Sequence, residues 1–151
     1  MSNPVYVANC IFCRIAQRKA PSTCVYETKY SYAFLDIGPL SEGHTLVIPK
    51  THAEFLHELS DEYLADLLPV AKKIAIGTKA EQYNILQNNG KEAHQAVGHV
   101  HVHVIPKPNQ EEGLGIKWPA KEVSPDQLTP IAQRVIEEIE KNSQEESSEK
   151  I

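Results

Sequence analysis

The stretch His99-Val100-His101-Val102-His103-Val104-Ile105 decides the fold of this chain, because it places a histidine at every second position of an apolar run. Successive side chains of a β-strand point to opposite faces of the sheet, so an extended backbone presents all three imidazoles on one face. The valines form the other face, and their β-branched side chains are typical of a strand packed on a core. Because imidazole acts as a nucleophile, acid, base or metal ligand near neutral pH, the histidine face is the candidate functional surface.

The sequence on both sides of this stretch predicts further strands and helices. Runs rich in β-branched and aromatic residues, bounded by turn signals, predict strands over 23–27, 31–37, 44–48, 83–87 and 100–106. Apolar residues at helical spacing predict helices over 13–19, over 60–77 and from 125 onward. Because the strands suit antiparallel pairing and the helices are few, we predict an α+β fold, an antiparallel sheet with flanking helices.

Composition limits the class of protein. The chain has 151 residues, of which 41% are hydrophobic, and a formal net charge of −5. This length suits one domain with a sizeable core, and the charge argues against a protein that coats polymeric nucleic acid. No run is long enough to span a membrane, and residues 1–9 lack the features of a signal peptide. Three cysteines do not suit a disulfide framework, so we expect a cytoplasmic or nuclear protein.

Several segments in a fixed order extend the pattern of the histidine strand. They are Ile11-Phe12-Cys13-Arg14-Ile15, Ala33-Phe34-Leu35-Asp36-Ile37, Gly43-His44-Thr45-Leu46-Val47-Ile48-Pro49-Lys50, Gln87-Asn88-Asn89-Gly90 and Gln95-Ala96-Val97-Gly98. With the histidines, they resemble the histidine triad (HIT) family, whose signature is His-φ-His-φ-His-φ-φ with φ an apolar residue. Trp118-Pro119 further resembles the C-terminal segment of the nucleotide-binding (HINT) branch. The resemblance covers about residues 10 to 119 and is much more specific than the three histidines alone.

The resemblance has consequences for organisation and activity. We divide the chain into an N-terminal extension (1–9), a HIT domain (10–119), a C-terminal helix (120–141) and a disordered acidic tail (142–151). The family fold pairs into a homodimer with a purine nucleotide site on each subunit. The HINT-type activity that it implies is hydrolysis of nucleoside 5'-monophosphoramidates, such as AMP joined to an amine, and other members transfer nucleotidyl groups.

The resemblance also implies roles for the histidines. His101, the middle residue of the triad, is the expected nucleophile, and a nucleotidyl-histidine intermediate would form on it before water releases the nucleoside monophosphate. Attack by one ring nitrogen requires that nitrogen to be unprotonated and the other nitrogen to hold the proton. His103 and His44 would bind the phosphate oxygens or protonate the leaving amine, and His99 completes the catalytic set.

The nucleotide is placed by the same resemblance. Asp36 is expected to accept hydrogen bonds from both ribose hydroxyls, and His101 and His103 also count as nucleotide-binding residues. Asn88, Gln95 and the backbone around Ala96 are expected at the phosphate; Ala96 stands where many relatives have a Ser or Thr hydroxyl. The apolar residues expected around the base are Ile11, Phe12, Ile15, Phe34 and Ile37. Core packing is the alternative role for this apolar set.

Cys10 and Cys13 have the C-x-x-C spacing of metal ligands. Some members of the family complete such a site with a histidine at the position of His52 and with the first triad histidine, here His99. We therefore predict a structural Zn²⁺ on these four residues, with no position left open for chemistry. Alternatively, the cysteines are simply small residues at the start of the domain. Redox use is disfavoured because the chain lacks a thioredoxin-like βαβ pattern.

Rival functions remain open from the sequence. One rival is a dinucleoside polyphosphate hydrolase, against which Trp118-Pro119 favours the phosphoramidase. Another is a zinc-bearing protein that binds nucleotides or partners and hydrolyses only incidentally. A third is a catalytic metal on the three histidines, which predicts that chelators abolish turnover. The expected partners are a purine nucleoside monophosphate or phosphoramidate and a second copy of the chain, with no membrane and no polymeric nucleic acid.

Overall fold

A five-stranded antiparallel sheet organises residues 3–115 of the computed structural model, which describes residues 3–149. The strands are β1 (Cys24–Glu27), β2 (Ser31–Leu35), β3 (Thr45–Pro49), β4 (Tyr83–Gln87) and β5 (Val102–Pro106). Their order across the sheet is β1-β2-β3-β5-β4, and each neighbouring pair is antiparallel. The helices are α1 (Ile11–Ala16), α2 (Asp61–Thr78) and α3 (Pro125–Glu149), with short 3-10 turns at Leu56–Glu58 and Lys91–Ala93. The predicted α+β class and antiparallel sheet are confirmed.

The alternation predicted from the histidine strand separates two apolar clusters. Val100, Val102 and Val104 lie in a buried cluster with residues of α2, including Leu67 and Ala71. On the other side, the ring of Phe12 packs edge-on against the rings of His99 and His101, with centroids 5.9 and 5.1 Å apart. The second cluster consists of Phe12, Ile15, Tyr32, Phe34, Leu46 and Ile48. The valine face therefore anchors the strand while the histidine face meets α1.

Several element boundaries differ from the predicted ones, and two of the changes lie at the histidine site. Strand β5 begins at Val102 instead of residue 100, because the N–H of Val100 donates to the carbonyl of Ala53 (2.8 Å) outside the sheet ladder. Helix α1 begins at Ile11 instead of residue 13, with Cys10 at its N-cap. The Cys10 sulfur accepts the backbone N–H of Cys13 at 3.4 Å, which satisfies one of the first donors of the helix.

Residues 116–149 form a separate unit that contains helix α3. Every described side chain of this helix is exposed, including an apolar stripe at Leu128, Ile131, Val135 and Ile139. The sequence analysis expected disorder from residue 142, whereas α3 extends to Glu149 in the structure. The segment after Pro130 lacks Gly and Pro and is rich in Glu, a composition compatible with a helix. Positions 150–151 of the predicted tail lie outside the described residues.

No helix within residues 3–149 combines the length and the apolar character needed to cross a lipid bilayer.

Asp66 attaches helix α2 to the β1–β2 hairpin. Its Oδ2 atom accepts hydrogen bonds from the hydroxyls of Thr28 (2.5 Å) and Ser31 (2.6 Å). Thr28 Oγ1 in turn accepts the backbone N–H groups of Tyr30 and Ser31, which shapes the turn between the strands. One carboxylate therefore holds the hairpin turn against the helix that covers the valine face.

We predict that Asp66→Ala lowers the free energy of unfolding by about 2–4 kcal/mol, because two hydrogen bonds to a charged acceptor are lost and the buried Ser31 hydroxyl keeps no partner. Urea denaturation measures the change. The matched control is Glu62→Ala, an exposed carboxylate in the first turn of the same helix, with an expected loss below about 1 kcal/mol. Equal losses in the two variants would contradict the proposed attachment.

Candidate active site

His101 is held in one tautomer by the backbone. Its Nδ1 atom lies 2.7 Å from the carbonyl oxygen of His99, and a carbonyl only accepts hydrogen bonds, so Nδ1 carries the proton. In the neutral ring, Nε2 then has an available lone pair. Burial lowers the pKa of His101 below the ordinary value of 6.5, although the His99 carbonyl and Asp36 oppose this shift. The geometry and the pKa shift together favour a neutral imidazole with a nucleophilic Nε2 at neutral pH.

His44 and His103 form a hydrogen-bonded pair beside His101. The backbone N–H of Leu40 donates to His44 Nδ1 at 3.1 Å, so the proton of neutral His44 is on Nε2. His44 Nε2 lies 2.9 Å from His103 Nδ1 and donates to it, which leaves the proton of neutral His103 on Nε2. Burial, with the nearby His101 and His44, lowers the pKa of His103 to about 4. The pair therefore presents one oriented N–H donor, on Nε2 of His103.

Sheet register explains how these residues meet. Leu46 of β3 pairs with His103 of β5, and His44 lies just before β3 on the same side as Leu46. The ring centroids of His103 and His101 are 4.9 Å apart, and those of His103 and His44 are 5.2 Å apart. One strand pairing thus brings a distant histidine to the triad.

Asp36 lies at the end of β2, next to this pair. Its backbone N–H donates to the carbonyl of His44 (2.9 Å), and its Oδ1 atom accepts the N–H of Gly38 (2.8 Å). Its Oδ2 atom lies 3.5 Å from His44 Nε2, which keeps a negative charge near the histidines. The side chain is 20% exposed, so solvent or a ligand can reach it.

The donor atoms of Asp36, His44 and His103 lie within 4.8 Å of one another, which raises the question of a metal ion. A metal on His44 Nε2 would require the ring proton on Nδ1, where the N–H of Leu40 already points. This arrangement is suited to hydrogen bonding and proton movement, and it argues against a metal centre on the triad.

The residues expected at the phosphate form a braced loop. Asn88 Nδ2 donates to the carbonyl of His94 at 3.2 Å. The Gln95 amide bonds at both ends, because Oε1 accepts the N–H of Gly90 (2.7 Å) and Nε2 donates to the carbonyl of Glu54 (2.7 Å). Ala96 is exposed. Gln95 thus supports the loop in this structure, and phosphate contacts by these residues stay predictions.

The apolar residues expected around the base divide into two groups. Phe12, Ile15 and Phe34 are 5–7% exposed and belong to one core cluster. Ile11 and Ile37 are 44% and 103% exposed, so their apolar surface is available to a ligand. Core packing thus accounts for the first group, of which Phe12 also contacts the ring of His101.

The four predicted metal ligands meet in one place. Cys10 Sγ and Cys13 Sγ each lie 3.4 Å from His99 Nδ1, and Cys13 Sγ lies 3.3 Å from His52 Nδ1. His99 Nε2 donates to the Pro49 carbonyl at 3.1 Å, so Nδ1 of the neutral ring is unprotonated and faces the sulfurs. Burial raises the pKa of Cys13 to about 11 and lowers that of His99 to about 4. Two thiols and two imidazoles, one fixed by a backbone acceptor, fit a tetrahedral Zn²⁺.

Sequence analysis missed the backbone groups that set these protons. They are the N–H of Leu40, the carbonyl of Pro49 and the carbonyl of His99. Every residue carries such groups, so the sequence cannot distinguish the ones that matter. The nearest signal is Gly38-Pro39, which predicts a turn before His44 but not where its N–H groups point.

A cavity of about 1020 Å³ lies away from the triad. Its lining mixes basic side chains such as Lys79 and Lys107 with acidic ones such as Glu42 and Glu112, and it includes no histidine. Volume alone does not supply reactive groups, so the histidine face is the better candidate site.

Comparisons with known proteins show which family this chain resembles in sequence and in structure. The family model described as the HIT domain matches residues 17–110. An adenosine 5'-monophosphoramidase from Schizosaccharomyces pombe is 51% identical over 131 residues, which cover 87% of this chain and 98% of the relative. The crystal structure of a histidine triad nucleotide-binding protein from Candida albicans gives a TM-score of 0.85 at 45% identity, covering 88% of this chain and 99% of that chain. A Zn-bound histidine triad family protein from Mycobacterium smegmatis gives a TM-score of 0.65 at 38% identity, covering 74% and 84% of the two chains. The chain therefore belongs to the HIT domain family.

Proposed function

We propose that this protein hydrolyses nucleoside 5'-monophosphoramidates at the P–N bond, releasing a nucleoside monophosphate and an amine. The observation that carries the proposal is the 2.7 Å hydrogen bond from His101 Nδ1 to the His99 carbonyl, which leaves Nε2 as the nucleophilic atom. The oriented N–H of His103 supplies the second group that the reaction needs. The S. pombe relative, which is named an adenosine 5'-monophosphoramidase, supports this reaction and an adenine nucleotide as the substrate.

In the proposed reaction, His101 Nε2 forms a bond to phosphorus, the P–N bond breaks, and the leaving nitrogen takes up one proton. The Nε2–H of His103, supported by the hydrogen bond from His44, donates a hydrogen bond to the phosphoryl oxygens, and solvent supplies the proton to the leaving nitrogen. Water then attacks the phosphorus of the nucleotidyl-histidine, the P–Nε2 bond breaks, and the proton that this water loses passes to solvent. The His99 carbonyl stabilises the positive charge on the ring of His101 through both steps.

The nucleoside is proposed to lie against the exposed apolar side chains next to the triad. Ile11 and Ile37 offer open apolar surface for a purine base, and the buried ring of Phe12 supports this region. Asp36 precedes Ile37 in the chain, and its partly exposed carboxylate lies 3.5 Å from His44 Nε2, where it could accept hydrogen bonds from ribose hydroxyls. Phosphate contacts would come from Asn88 and from backbone N–H groups near Ala96.

We also propose that Cys10, Cys13, His52 and His99 hold a structural zinc ion. The support is the donor geometry of these four residues and the Zn-bound relative from M. smegmatis. When bound, the ion supplies the positive charge that keeps the two sulfurs deprotonated, and it joins α1 to the histidine strand. It has no part in breaking the P–N bond.

We infer that the protein forms a homodimer. Within the described residues, β4 pairs with β5 on one side only, and it exposes 46% of Tyr83 and 42% of Ile85. An exposed edge strand with apolar side chains readily pairs with another strand. Light scattering on the purified protein should give twice the chain mass of 16.9 kDa, and a monomer mass would refute the inference. A cytoplasmic or nuclear location stays a prediction from the sequence.

His101→Ala is predicted to reduce kcat/KM for an AMP–amine phosphoramidate at least about 10³-fold, because the nucleophile is removed. Release of AMP measures the rate. The control is His57→Ala, which should retain wild-type activity. His57 is exposed and belongs neither to the triad and its partner His44 nor to the four candidate zinc ligands. A fully active His101→Ala variant would refute the mechanism. A wild-type protein that cleaves only dinucleoside polyphosphates would favour that rival, and one that only binds nucleotides would favour a binding role.

The acid limb of kcat/KM should lie below pH 6.5. The nucleophile must be unprotonated, and burial lowers the pKa of His101 below 6.5, so activity persists as the pH falls through 6.5 and declines only at lower pH. A pH–rate profile measures this, with circular dichroism at each pH to confirm that the protein stays folded. A midpoint at or above 6.5 would contradict the burial-driven shift.

Zinc content gives an independent test. Protein purified without chelators should carry one zinc ion per chain by atomic emission, and Cys13→Ser should lose it. Cys24→Ser is the matched control, because Cys24 is exposed and lies outside the group. Chelation should leave measurable turnover, because the ion is structural; complete loss of turnover in folded protein would instead make the metal catalytic. Protein without zinc would refute the proposed zinc site.

A further inference from the structure

His99 belongs to the group of four candidate metal ligands, Cys10, Cys13, His52 and His99, called here the cysteine group. It also connects this group to the nucleophile, His101. His99 is fully buried, and its Nδ1 atom lies 3.4 Å from each of the sulfurs of Cys10 and Cys13. Its backbone carbonyl accepts the Nδ1 proton of His101 at 2.7 Å. One residue therefore contacts the thiols through its side chain and the nucleophile through its backbone.

The peptide unit between His99 and Val100 is held at both of its polar groups. The N–H of Val100 donates to the Ala53 carbonyl at 2.8 Å, while the His99 carbonyl bonds to His101. Because a peptide unit is planar, a rotation that weakens one of these bonds also weakens the other. Ala53 directly follows His52, which belongs to the cysteine group. This short segment therefore supplies one candidate metal ligand and also helps to orient the His99 carbonyl, which accepts the Nδ1 proton of His101.

Two more contacts join the same elements. The Pro49 carbonyl accepts the Nε2 proton of His99 at 3.1 Å, which attaches the end of β3 to the His99 ring. Phe12, which lies between the two cysteines in sequence, packs its ring edge-on against His101 at 5.1 Å. Displacement of the cysteine group would thus disturb both the backbone acceptor and the ring packing around His101.

We propose that Cys10, Cys13, His52 and His99 position the nucleophile: a zinc ion bound by them fixes the His99 peptide, whose carbonyl holds the His101 proton on Nδ1. His99 is in this sense a positioning residue. Without the ion, the His99 ring would keep only the Pro49 carbonyl and the two thiols as partners, so its peptide would be held less firmly. The His101 proton then distributes between both nitrogens, and Nε2 is less often free to attack. The effect on kcat rests on the proposed function, whereas the effect on the tautomer does not.

Imidazole ¹⁵N NMR of the full-length protein tests this, because it distinguishes the two tautomers of a histidine. Zinc-loaded protein should show His101 as a single Nδ1–H tautomer with a slowly exchanging proton, assigned by its absence in His101→Gln. Protein stripped with a chelator should show a mixture of tautomers. The kcat of the stripped protein should fall about tenfold with KM little changed, which is typical when a residue that orients a catalytic group is lost. Added ZnCl₂ should restore both the single tautomer and kcat.

Cys10→Ser should reproduce the stripped state, and Cys24→Ser, which changes an exposed thiol outside the group, should behave as wild type. Circular dichroism confirms folding, and if Cys10→Ser does not fold, stripping and reloading of the wild-type protein decides the question. An unchanged tautomer in folded, zinc-free protein would overturn the proposal, as would protein that takes up no zinc. A tautomer change in protein without phosphoramidase activity would support the positioning and refute the proposed function.

Discussion

The hydrogen bond between His101 Nδ1 and the His99 carbonyl is the constraint on which the functional site depends. A neutral imidazole carries one proton on either of two nitrogens, and only an acceptor at one of them makes the other a reliable nucleophile. The acceptor here is a backbone oxygen, and a carbonyl cannot donate a hydrogen bond. The protonation state of His101 is therefore fixed by the chain path at His99, and the surrounding structure serves to hold that path.

The same principle extends over the whole histidine cluster. The N–H of Leu40 sets the proton of His44, and the carbonyl of Pro49 sets that of His99. Burial lowers the pKa values of His44, His99, His101 and His103, so these four rings are neutral at neutral pH and their close packing brings no repulsion between like charges. Neutral rings with defined tautomers form a directional network, in which each N–H has one acceptor or is directed outward for a ligand.

The architecture reaches this arrangement with few elements. Strand pairing brings His44 to His103, and the N-terminus of α1 brings two thiols to His99. The valine face packs on α2, whose carboxylate at Asp66 also holds the β1–β2 turn. The apolar face therefore fixes the position of the strand, while the opposite face is available for chemistry.

The sequence by itself determined the elements whose signal is local. The histidines at alternate positions indicated that the histidine side chains and the valine side chains of residues 99–104 lie on opposite faces. Strand β4 has the predicted bounds, Tyr83 to Gln87, because its β-type residues lie between clear turn signals. The C-x-x-C spacing, with the resemblance to the family, indicated which four residues meet at His99. For residues 142–149 the composition does not distinguish an exposed helix from a disordered segment, whereas in the structure α3 extends to Glu149.

Only the tertiary structure decided which atoms carry protons and which side chains are available to a ligand. The bracing role of Gln95 depends on where Gly90 and Glu54 lie, and the exposure of Ile37 beside the buried Phe34 depends on where β2 ends. Tautomers depend on backbone groups from distant residues, such as the Pro49 carbonyl at His99. Residue types are visible in a sequence, whereas the direction of an N–H or a C=O exists only once the chain has folded.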